Sequence, residues 1–386
     1  TWRTWVLCSD GDLMEGVGAE AASLAGTHKL SSLCWIYDNN RITIEGKTDL
    51  AFTEDVAARF RGYGWNTLHV VDANDTAALG RAFEAARAEK ERPTLVVVDS
   101  HIGFGAPHKQ DSASAHGEPL GEDEIRLAKK SYGWPEDAKF LVPDGVRERV
   151  KAVLGERGRK LREDWFARFE RYRREFPKLA DDLDKMWKDE LQPGWEKSLP
   201  VFPADAKGLA TREASGKALN AIAPALPGLL GGSADLAPST KTLLTAEDAG
   251  QQNSASPGGR NFHFGVREHA MASIANGLAL CKLRPYTATF LIFCDYLKPA
   301  LRLSALMELP VVYVFTHDSI GVGEDGPTHQ PIEQLASMRS TPGVVTIRPC
   351  DANETAEAWK FAVENRHGPT CLALTRQALP TLDRTK

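Results

Sequence analysis

The chain has 386 residues, of which 42% are hydrophobic, so it is long enough for two ordinary cores and predicts two or three domains. Its net charge of −5, without a basic tract, argues against a nucleic-acid or membrane-surface partner. No apolar stretch approaches the roughly 18 residues of a membrane span, and six scattered cysteines predict reduced core thiols of a cytoplasmic protein, without a disulfide framework or zinc site.

Apolar strands alternate with helices from residue 4 to about 100. This spacing predicts a parallel, doubly wound α/β sheet. The strands are expected near Trp5–Cys8, Leu33–Tyr37, Thr67–Val71 and Thr94–Asp99, and the helices near Met14–His28, Asp55–Tyr63 and Thr76–Glu89.

Two oxygen ligands stand at opposite ends of the first strand-helix-strand unit, Asp10 after the first strand and Asn40 after the second. Mg²⁺ takes about six oxygens, commonly from one or two protein side chains with phosphate and water. The Asp10 carboxylate, the Asn40 amide and the Ile42 carbonyl are therefore candidate ligands of a metal that clamps a diphosphate. Gly11 would let the backbone approach the anion, and the helix after it would direct free N–H groups there. An Asp-Gly turn and an Asn-Asn loop without any ligand are the alternative.

Between about 103 and 200 the composition shifts to charge and proline. Segments such as EDEIRLAKK and DDLDKMWKDEL predict amphipathic helices whose charged faces meet solvent. From about 205 a second alternating block predicts a second parallel sheet. Its strands are expected near Leu229–Gly231, Tyr286–Thr289, Val311–Thr316, Val344–Arg348 and Thr370–Ala373.

Ligands of open parallel sheets bind beyond the carboxyl ends of the strands. In the second block Glu268, Phe290 and His317 are expected in such positions. Arg267-Glu268 also fits a helix start, where an acidic side chain is favourable. The i, i+3, i+6 spacing of Phe290, Phe293 and Tyr296 is by itself more typical of a core stripe on a helix.

A glycine-rich loop carries His317, Asp325 and His329 within thirteen residues. Three polar residues on such a loop favour a functional role over burial in a core. A metal site is the alternative, but the loop has no histidine pair at i, i+4, and the magnesium ion has better ligands elsewhere.

Several segments match one enzyme family. They are Ser9-Asp10-Gly11-Asp12-Leu13-Met14-Glu15-Gly16, Tyr37-Asp38-Asn39-Asn40-Arg41-Ile42-Thr43-Ile44, Ala115-His116-Gly117, Ala210-Thr211-Arg212, Gly231-Gly232-Ser233-Ala234-Asp235-Leu236, Val266-Arg267-Glu268-His269-Ala270-Met271 and THDSIGVGEDGPTHQP from Thr316 to Pro331. Through them the chain resembles the transketolases, which are thiamine diphosphate enzymes, over essentially its whole length.

The resemblance implies two doubly wound thiamine diphosphate-binding domains joined by a charged, helical connector. Residues 1–140 would form part of the diphosphate and Mg-binding domain, 141–204 the connector, 205–380 the pyrimidine-binding domain, and 381–386 the start of a further C-terminal domain. In the family the two halves of a site come from different subunits, which implies a homodimer.

The activity implied is reversible transfer of a two-carbon ketol unit from a ketose phosphate to an aldose phosphate through a C2 carbanion of thiamine diphosphate. This reaction belongs to the pentose phosphate pathway or the Calvin cycle. The implied cofactors are thiamine diphosphate and Mg²⁺, with Ca²⁺ or Mn²⁺ as substitutes, and the implied partners are sugar phosphates.

The resemblance also assigns residues. Glu268 would hold a proton at the pyrimidine N1′, with Phe293 stacked on that ring. The cofactor-binding set is Gly11, Glu15, Asn40, His116, Asp235, Glu268, Phe290, Phe293 and Tyr296, and the metal ligands are Asp10, Asn40 and Ile42. The substrate-binding set is His116, Arg212, Ser239, His317, Asp325, His329 and Arg376, and the catalytic set is Glu268, His116, His317 and His329.

The chain also departs from the family pattern. Ser9 stands where a glycine usually precedes the metal-binding aspartate. The family's first block begins well upstream of residue 1, and the family continues after Gln377 into a third α/β domain, so strands of the first sheet are expected to be missing. The alternatives are a related enzyme, dihydroxyacetone synthase or deoxyxylulose-phosphate synthase, and a non-catalytic cofactor-binding fragment. The THDSIGVGEDGPTHQP segment and the arginines favour transketolase over deoxyxylulose-phosphate synthase.

Overall fold

Parallel sheets organise both halves of the chain. The computed structural model describes residues 2–384 and divides the chain into Thr1–Phe169 and Glu170–Lys386, here named unit 1 and unit 2. The boundary falls within the predicted connector 141–204. The domain limits at 140 and 204 stay predictions, and the predicted start of a third domain at 381–386 lies partly outside the described residues.

Unit 1 is built on four parallel strands in the spatial order β1-β2-β4-β3. This confirms the parallel α/β prediction for the first block. In chain order its α-helices and strands up to β4 are β1 (Thr4–Ser9), α1 (Asp10–Met14), α2 (Gly16–Thr27), β2 (Leu33–Asn39), α3 (Val56–Gly62), β3 (Asn66–Val70), α4 (Thr76–Ala88) and β4 (Thr94–Asp99).

Strand β4 is buried on both faces because its side chains alternate between two cores. Leu95 and Val97 pack in a core with Phe60 and Trp65. Val96 and Val98, by contrast, face a second core, which is formed with helix α4. Strand β1 instead forms an edge among the described strands, and its Leu7 is 81% exposed.

The predicted single helix over Met14–His28 is wrong at its start. Helix α1 begins at Asp10 itself, and the extended backbone of Glu15 (φ −63°, ψ 130°) separates α1 from α2. Gly11 is therefore inside the first helical turn and does not precede the helix. Ser9, the departure from the family pattern, has an extended backbone that any residue adopts (φ −127°, ψ −174°).

The charged stretch is helical, as its composition predicts. Helix α7 is amphipathic only in part, because Phe169 is its one buried residue among those described, while Trp165 and Phe166 stay more than 40% exposed. The helices of this region are α5 (Glu122–Ser131), α6 (Val146–Val150), α7 (Arg157–Glu175) and α8 (Pro177–Lys188), with a π-helical segment, Lys151–Glu156, between α6 and α7.

Unit 2 contains a six-stranded parallel sheet in the order β10-β11-β9-β8-β6-β7, which confirms the second predicted sheet. The chain leaves β6 toward β7 on one side and returns to β8 on the other, so the strand order reverses between β6 and β8. Its elements after α8 are β5 (Asp205–Ala210), α9 (Thr211–Ile222), β6 (Leu229–Ser233), α10 (Ala237–Thr240), β7 (Asn261–His263), α11 (Glu268–Leu280), β8 (Arg284–Phe290), α12 (Cys294–Leu306), β9 (Val312–Thr316), α13 (Gln334–Arg339), β10 (Val345–Ile347), α14 (Ala352–Glu364), β11 (Thr370–Ala373) and β12 (Ala378–Thr381).

Reversal points of this kind open the crevice in which doubly wound sheets bind ligands. Close strand approach is possible here because β6 contains Gly231 and Gly232. A Cβ atom at Gly231 would lie 1.9 Å from the Tyr286 carbonyl oxygen, and one at Gly232 would lie 1.8 Å from that of Phe262. The glycines therefore allow β6 to be paired on both sides.

Three short strands are absent from the sequence prediction. Strands β5 and β12 form a two-stranded antiparallel sheet, and β7 adds three residues to the edge of the large sheet. Each depends on a distant partner and lacks a clear apolar pattern of its own.

The six cysteines are free thiols, as predicted, but two of them are not in a core. Cys281 and Cys350 are exposed, whereas the other four are buried. Within residues 2–384, no helix combines the length and apolar character required to cross a bilayer.

Candidate functional site

Asp10 is a buried carboxylate at the carboxyl end of β1. It is 1% exposed, and each of its oxygens accepts one hydrogen bond. The Tyr37 hydroxyl donates to Oδ1 at 2.6 Å, and the Arg41 backbone N–H donates to Oδ2 at 3.0 Å. Burial raises the pKa of Asp10, while these hydrogen bonds lower it. Asp10 is thus held in one orientation by donors from β2 and the loop after it.

The other two predicted metal ligands flank Arg41. Asn40 Oδ1 accepts a hydrogen bond from the Ile42 backbone N–H at 3.0 Å, and Asn40 Nδ2 donates to Asp38 at 3.1 Å. Arg41 itself has a left-handed backbone (φ 61°), which is costly for a residue with a side chain. Through its bond to Asp10, this strained residue brings the three predicted ligands to the same edge of the sheet.

These residues are suited to a magnesium ion. A carboxylate, an amide oxygen and a backbone carbonyl form a hard oxygen set, which Mg²⁺, Ca²⁺ or Mn²⁺ prefers over imidazole and thiolate. Asp10 is the strongest candidate ligand of the three, because it is buried and two hydrogen bonds fix its orientation. Across residues 2–384 no cluster of three or more His, Cys, Asp or Glu side chains forms another candidate metal centre.

Three further predicted residues of unit 1 share a cavity of about 470 Å³. Gly11, Glu15 and His116 line it together with Asp12 and Lys47. His116 is half-buried and follows a short 3-10 turn. The predicted arrangement of free N–H groups after Gly11 changes, because α1 starts one residue earlier and has only five residues.

In unit 2 an aromatic cluster forms where β8 ends. Phe290 is buried at the end of the strand, Phe293 is half-buried in the 3-10 turn, and Tyr296 is 67% exposed in α12. These three side chains lie on three different elements, so the interpretation of their spacing as a single helical core stripe is wrong. The Phe293 ring stands 6.0 Å from Phe290 and 6.3 Å from Tyr296.

Two of the predicted histidines join this cluster. His317 stacks on Phe290 with ring centroids 3.7 Å apart, and His329 meets Phe293 edge-on at 5.3 Å. His317 follows β9 directly, is 3% exposed and has a left-handed backbone (φ 59°). Asp235, which follows β6, is also left-handed (φ 62°). Backbone strain of this kind is typical of binding and catalytic sites.

His317 is neutral at physiological pH. Burial lowers the pKa of its imidazole from 6.5 to about 4, and the positive charges of Arg212 and Arg376 act in the same direction. Asp325 opposes this shift, and His329 adds to it. A neutral imidazole accepts a proton or a hydrogen bond, so His317 is suited to act on a substrate hydroxyl.

We expect the free energy of unfolding to fall as the pH decreases from 6.5 to 4. In this interval the unfolded chain binds a proton at His317 that the folded chain does not, at a cost of about 3 kcal/mol across the interval. Denaturant unfolding of a His317→Gln variant over this pH range should show a flatter dependence. The exposed His367 provides the control, and His367→Gln should keep the original slope. Identical slopes for His317→Gln and the unaltered chain would contradict the depressed pKa.

The predicted phosphate-binding residues lie around the same histidine. Arg212, the second residue of α9, donates from Nη1 to the Ser239 carbonyl oxygen at 3.0 Å, and its Nε is buried without a hydrogen-bond partner among the described residues. Burial lowers the pKa of Arg212, the nearby Glu213 carboxylate opposes this shift, and the charge of Arg376 adds to it. Within residues 2–384, neither arginine forms an ion pair with a carboxylate. Two guanidinium groups that act on the same histidine, neither of them in an ion pair with a carboxylate among residues 2–384, are suited to bind an anion.

Glu268 is the first residue of α11 and is 7% exposed. The predicted helix start at Arg267-Glu268 is confirmed. Asp325, in contrast, is exposed on the loop between β9 and α13. The structure therefore groups Phe290, Phe293 and His329 with His317, whereas Glu268 lies at its own helix start.

Beside the predicted ligands, Tyr37, Asn39, Asp99 and His69 make contacts that the sequence does not predict. Asn39 Nδ2 donates to Asp99 at 2.7 Å, and Asp99 also bonds His69 at 2.9 Å. Alternation along β2 places Tyr37 and Asn39 on the same face of the strand, which is the signal that could have linked both to Asp10.

Comparison with known proteins gives a consistent result. The family model "Transketolase, thiamine diphosphate binding domain" matches residues 1–192, and "Transketolase, pyrimidine binding domain" matches residues 207–381. A transketolase of Geobacillus stearothermophilus is 50% identical over 383 residues, which are 99% of this chain and 57% of that protein. A chloroplastic transketolase of Craterostigma plantagineum is 47% identical over 385 residues, 99% of this chain and 73% of that protein.

Solved structures agree. A Pichia stipitis transketolase in complex with sedoheptulose 7-phosphate has a TM-score of 0.95 and 42% identity, covering 100% of this chain and 57% of that one. A transketolase from Leishmania mexicana has a TM-score of 0.94 and 40% identity, covering 99% and 56%. The chain thus spans little more than half the length of most of these relatives. Because the two family models together match nearly all of its residues, the chain belongs to the transketolase family.

Proposed function

We propose that this chain carries the cofactor and sugar-phosphate sites of a transketolase. The reaction is reversible transfer of a two-carbon ketol unit between a ketose phosphate and an aldose phosphate. The observation that carries the proposal is the buried His317, which stacks on Phe290 and on which the positive charges of Arg212 and Arg376 act. An anion site next to a proton acceptor and an aromatic pocket suits a phosphorylated sugar held against an aromatic cofactor.

Bound thiamine diphosphate would supply the nucleophilic carbon to which the two-carbon unit is transferred. In unit 2, Glu268 would hold a proton at the pyrimidine N1′, Phe293 would stack on the ring, and Phe290 and Tyr296 would form the pocket walls. Asp235 lies at the strand-order reversal and would contact the cofactor from there.

In unit 1, Asp10, Asn40 and the Ile42 carbonyl would hold Mg²⁺ together with diphosphate oxygens and water. Gly11 and Glu15 would border the diphosphate. His116 lines the same cavity as these two and is proposed to contact both cofactor and donor sugar.

On the substrate side, His317 and His329 would accept and return protons as a carbonyl becomes an alkoxide and back. Asp325 would bind the C2 hydroxyl. The phosphate group would bind Arg212, Ser239 and Arg376, since a guanidinium fork matches its oxygens in geometry and charge.

We expect Arg376→Ala to raise the KM for phosphorylated donors by about 10-fold to 100-fold, since a hydrogen bond to a charged group contributes about 1.5–3 kcal/mol. The measurement compares xylulose 5-phosphate with an unphosphorylated ketose donor. Catalysis with the unphosphorylated donor should change little, because it lacks the group that Arg376 binds. The exposed Arg339→Ala variant serves as the control. A similar loss with both donors would contradict a phosphate-binding role.

A homodimer with sites at the subunit interface, a place in the pentose phosphate pathway or Calvin cycle, and a cytoplasmic location are part of the proposal. The six free cysteines support a reducing compartment. Named relatives include both bacterial and chloroplastic transketolases, so the compartment differs within the family.

Calorimetry with thiamine diphosphate, with and without Mg²⁺, tests the proposal first. Binding that requires the metal is expected, and its absence would contradict cofactor binding by this chain. A coupled assay with xylulose 5-phosphate and ribose 5-phosphate then tests transfer. Metal-dependent binding without transfer would indicate a cofactor-binding fragment.

A further inference from the structure

A buried hydroxyl in unit 1 has two acceptors for its single proton. The Tyr37 oxygen lies 2.6 Å from Asp10 Oδ1 and 3.0 Å from Asn39 Oδ1. Tyr37 is 3% exposed, so water does not satisfy this group. A phenol donates one hydrogen bond at a time, and bonds to carboxylates are the shorter and stronger ones. Tyr37 therefore donates mainly to Asp10.

The second acceptor is fixed in place by a chain of polar side chains. Asn39 Nδ2 donates to Asp99 Oδ1 at 2.7 Å, so the Asn39 oxygen must face Tyr37. Asp99 Oδ2 bonds His69 Nε2 at 2.9 Å. The chain runs from β2 through β4 to β3 and ends at His69, which is half-exposed. Networks of this kind orient metal ligands in other proteins.

The geometry limits how Asp10 can bind a cation. Tyr37 occupies a lone pair of Oδ1, and the Arg41 N–H occupies one of Oδ2. The shorter hydrogen bond, from Tyr37, weakens Oδ1 as a ligand more than the Arg41 N–H weakens Oδ2, so coordination through Oδ2 alone is favoured. Mg²⁺ uses such single-oxygen coordination in a strict octahedron, whereas the larger Ca²⁺ often takes both oxygens of a carboxylate.

We infer that Tyr37 is a positioning residue that restricts Asp10 to single-oxygen coordination and shifts the metal preference of this site toward Mg²⁺ and away from Ca²⁺. The inference rests on the proposed metal role of Asp10. It concerns the ratio of the two affinities, which a general loss of stability would not change.

The test is calorimetric titration of Mg²⁺ and of Ca²⁺ into the chain saturated with thiamine diphosphate. Tyr37→Phe removes the hydroxyl and frees Oδ1, so the Mg²⁺ to Ca²⁺ affinity ratio should fall by about 10-fold or more. The matched control is Tyr63→Phe. The Tyr63 ring packs in the same unit against Phe60, and its hydroxyl makes no hydrogen bond within the described chain. The control should keep the original ratio.

A second variant covers the case in which Tyr37→Phe does not fold. Asn39→Ala removes the second acceptor, so Tyr37 donates to Asp10 alone and the ratio should rise. This variant adds no charge near the metal ligands. A ratio unchanged in both variants, or an equal loss of both affinities, would overturn the inference alone. Absence of metal binding by the unaltered chain would overturn the metal site and the inference together.

Discussion

Glu268→Gln should abolish ketol transfer while leaving cofactor binding within about 10-fold of the unaltered chain. Glutamine has the shape of glutamate but cannot give a proton to the pyrimidine N1′, and loss of a positioned proton donor costs about 100-fold to 10,000-fold in rate. Because Glu268 is only 7% exposed, no solvent proton replaces the missing one efficiently. The measurements are the coupled assay and proton-deuterium exchange at C2 of bound thiamine diphosphate, followed by NMR.

A control must separate this chemistry from the favourable effect of an acidic residue at a helix start. Glu354 provides it, since it lies in the first turn of α14 and is exposed. Glu354→Gln loses a similar interaction with the helix dipole, typically about 0.3–1 kcal/mol. In the Glu354→Gln variant, the C2 proton of bound thiamine diphosphate should exchange at the original rate. If Glu268→Gln also exchanged at that rate, the assignment of Glu268 to cofactor activation would be wrong.

Asp10→Asn should weaken Mg²⁺-dependent binding of thiamine diphosphate by at least about 100-fold. Replacing a residue that only orients a metal ligand typically costs about 10-fold to 100-fold in affinity, so the loss of a ligand itself should be larger. The amide keeps the size of the carboxylate but removes the only charged oxygen of the proposed ligand set. The buried Tyr37 hydroxyl and the Arg41 N–H also lose a charged acceptor. Calorimetry at several Mg²⁺ concentrations measures the change in affinity.

Fold integrity must be followed in the same variant, because a buried residue is altered. Asp75 is the matched control. It caps α4 by accepting a hydrogen bond from the Ala78 N–H at 2.8 Å, and it lies outside the proposed site. Asp75→Asn should lower thermal stability slightly and leave cofactor affinity unchanged. If Asp10→Asn folded and still bound thiamine diphosphate with the original dependence on Mg²⁺, the proposed metal clamp would have to be abandoned.

Strong local patterns predicted most of the parallel strands. The run at Thr94–Asp99 was located to the residue, since a strand buried on both faces is continuously apolar. Strands β5 and β12 were missed because each forms only by pairing with the other, more than 160 positions away in the chain. At Gly208 (φ 72°) the two backbones approach so closely that a Cβ atom would lie 1.9 Å from the Leu379 oxygen. No pattern among consecutive residues predicts pairing between two such distant segments.

In the metal-binding region, too, the sequence predicts which residues take part, and only the tertiary structure sets their geometry. Asp10 and Asn40 were identified from the order of strand ends along the chain. The start of α1 at Asp10 and the left-handed turn at Arg41 were not predicted, and together these decide where the Asp10 oxygens point. The role of Tyr37 is not visible in the sequence, because its hydrogen bond to Asp10 joins strand β2 to the first residue of helix α1, 27 positions away.

By itself, the sequence determined the fold class, the family resemblance and the set of candidate residues, because periodicity and motifs are properties of consecutive positions. Only the tertiary structure decided that Phe290 and His317 stack and that the charges of Arg212 and Arg376 both act on that histidine. These contacts join residues from separate strands and loops. Their electrostatic consequences, the neutral His317 above all, arise from burial and from neighbouring charges that exist only once the sheet has formed.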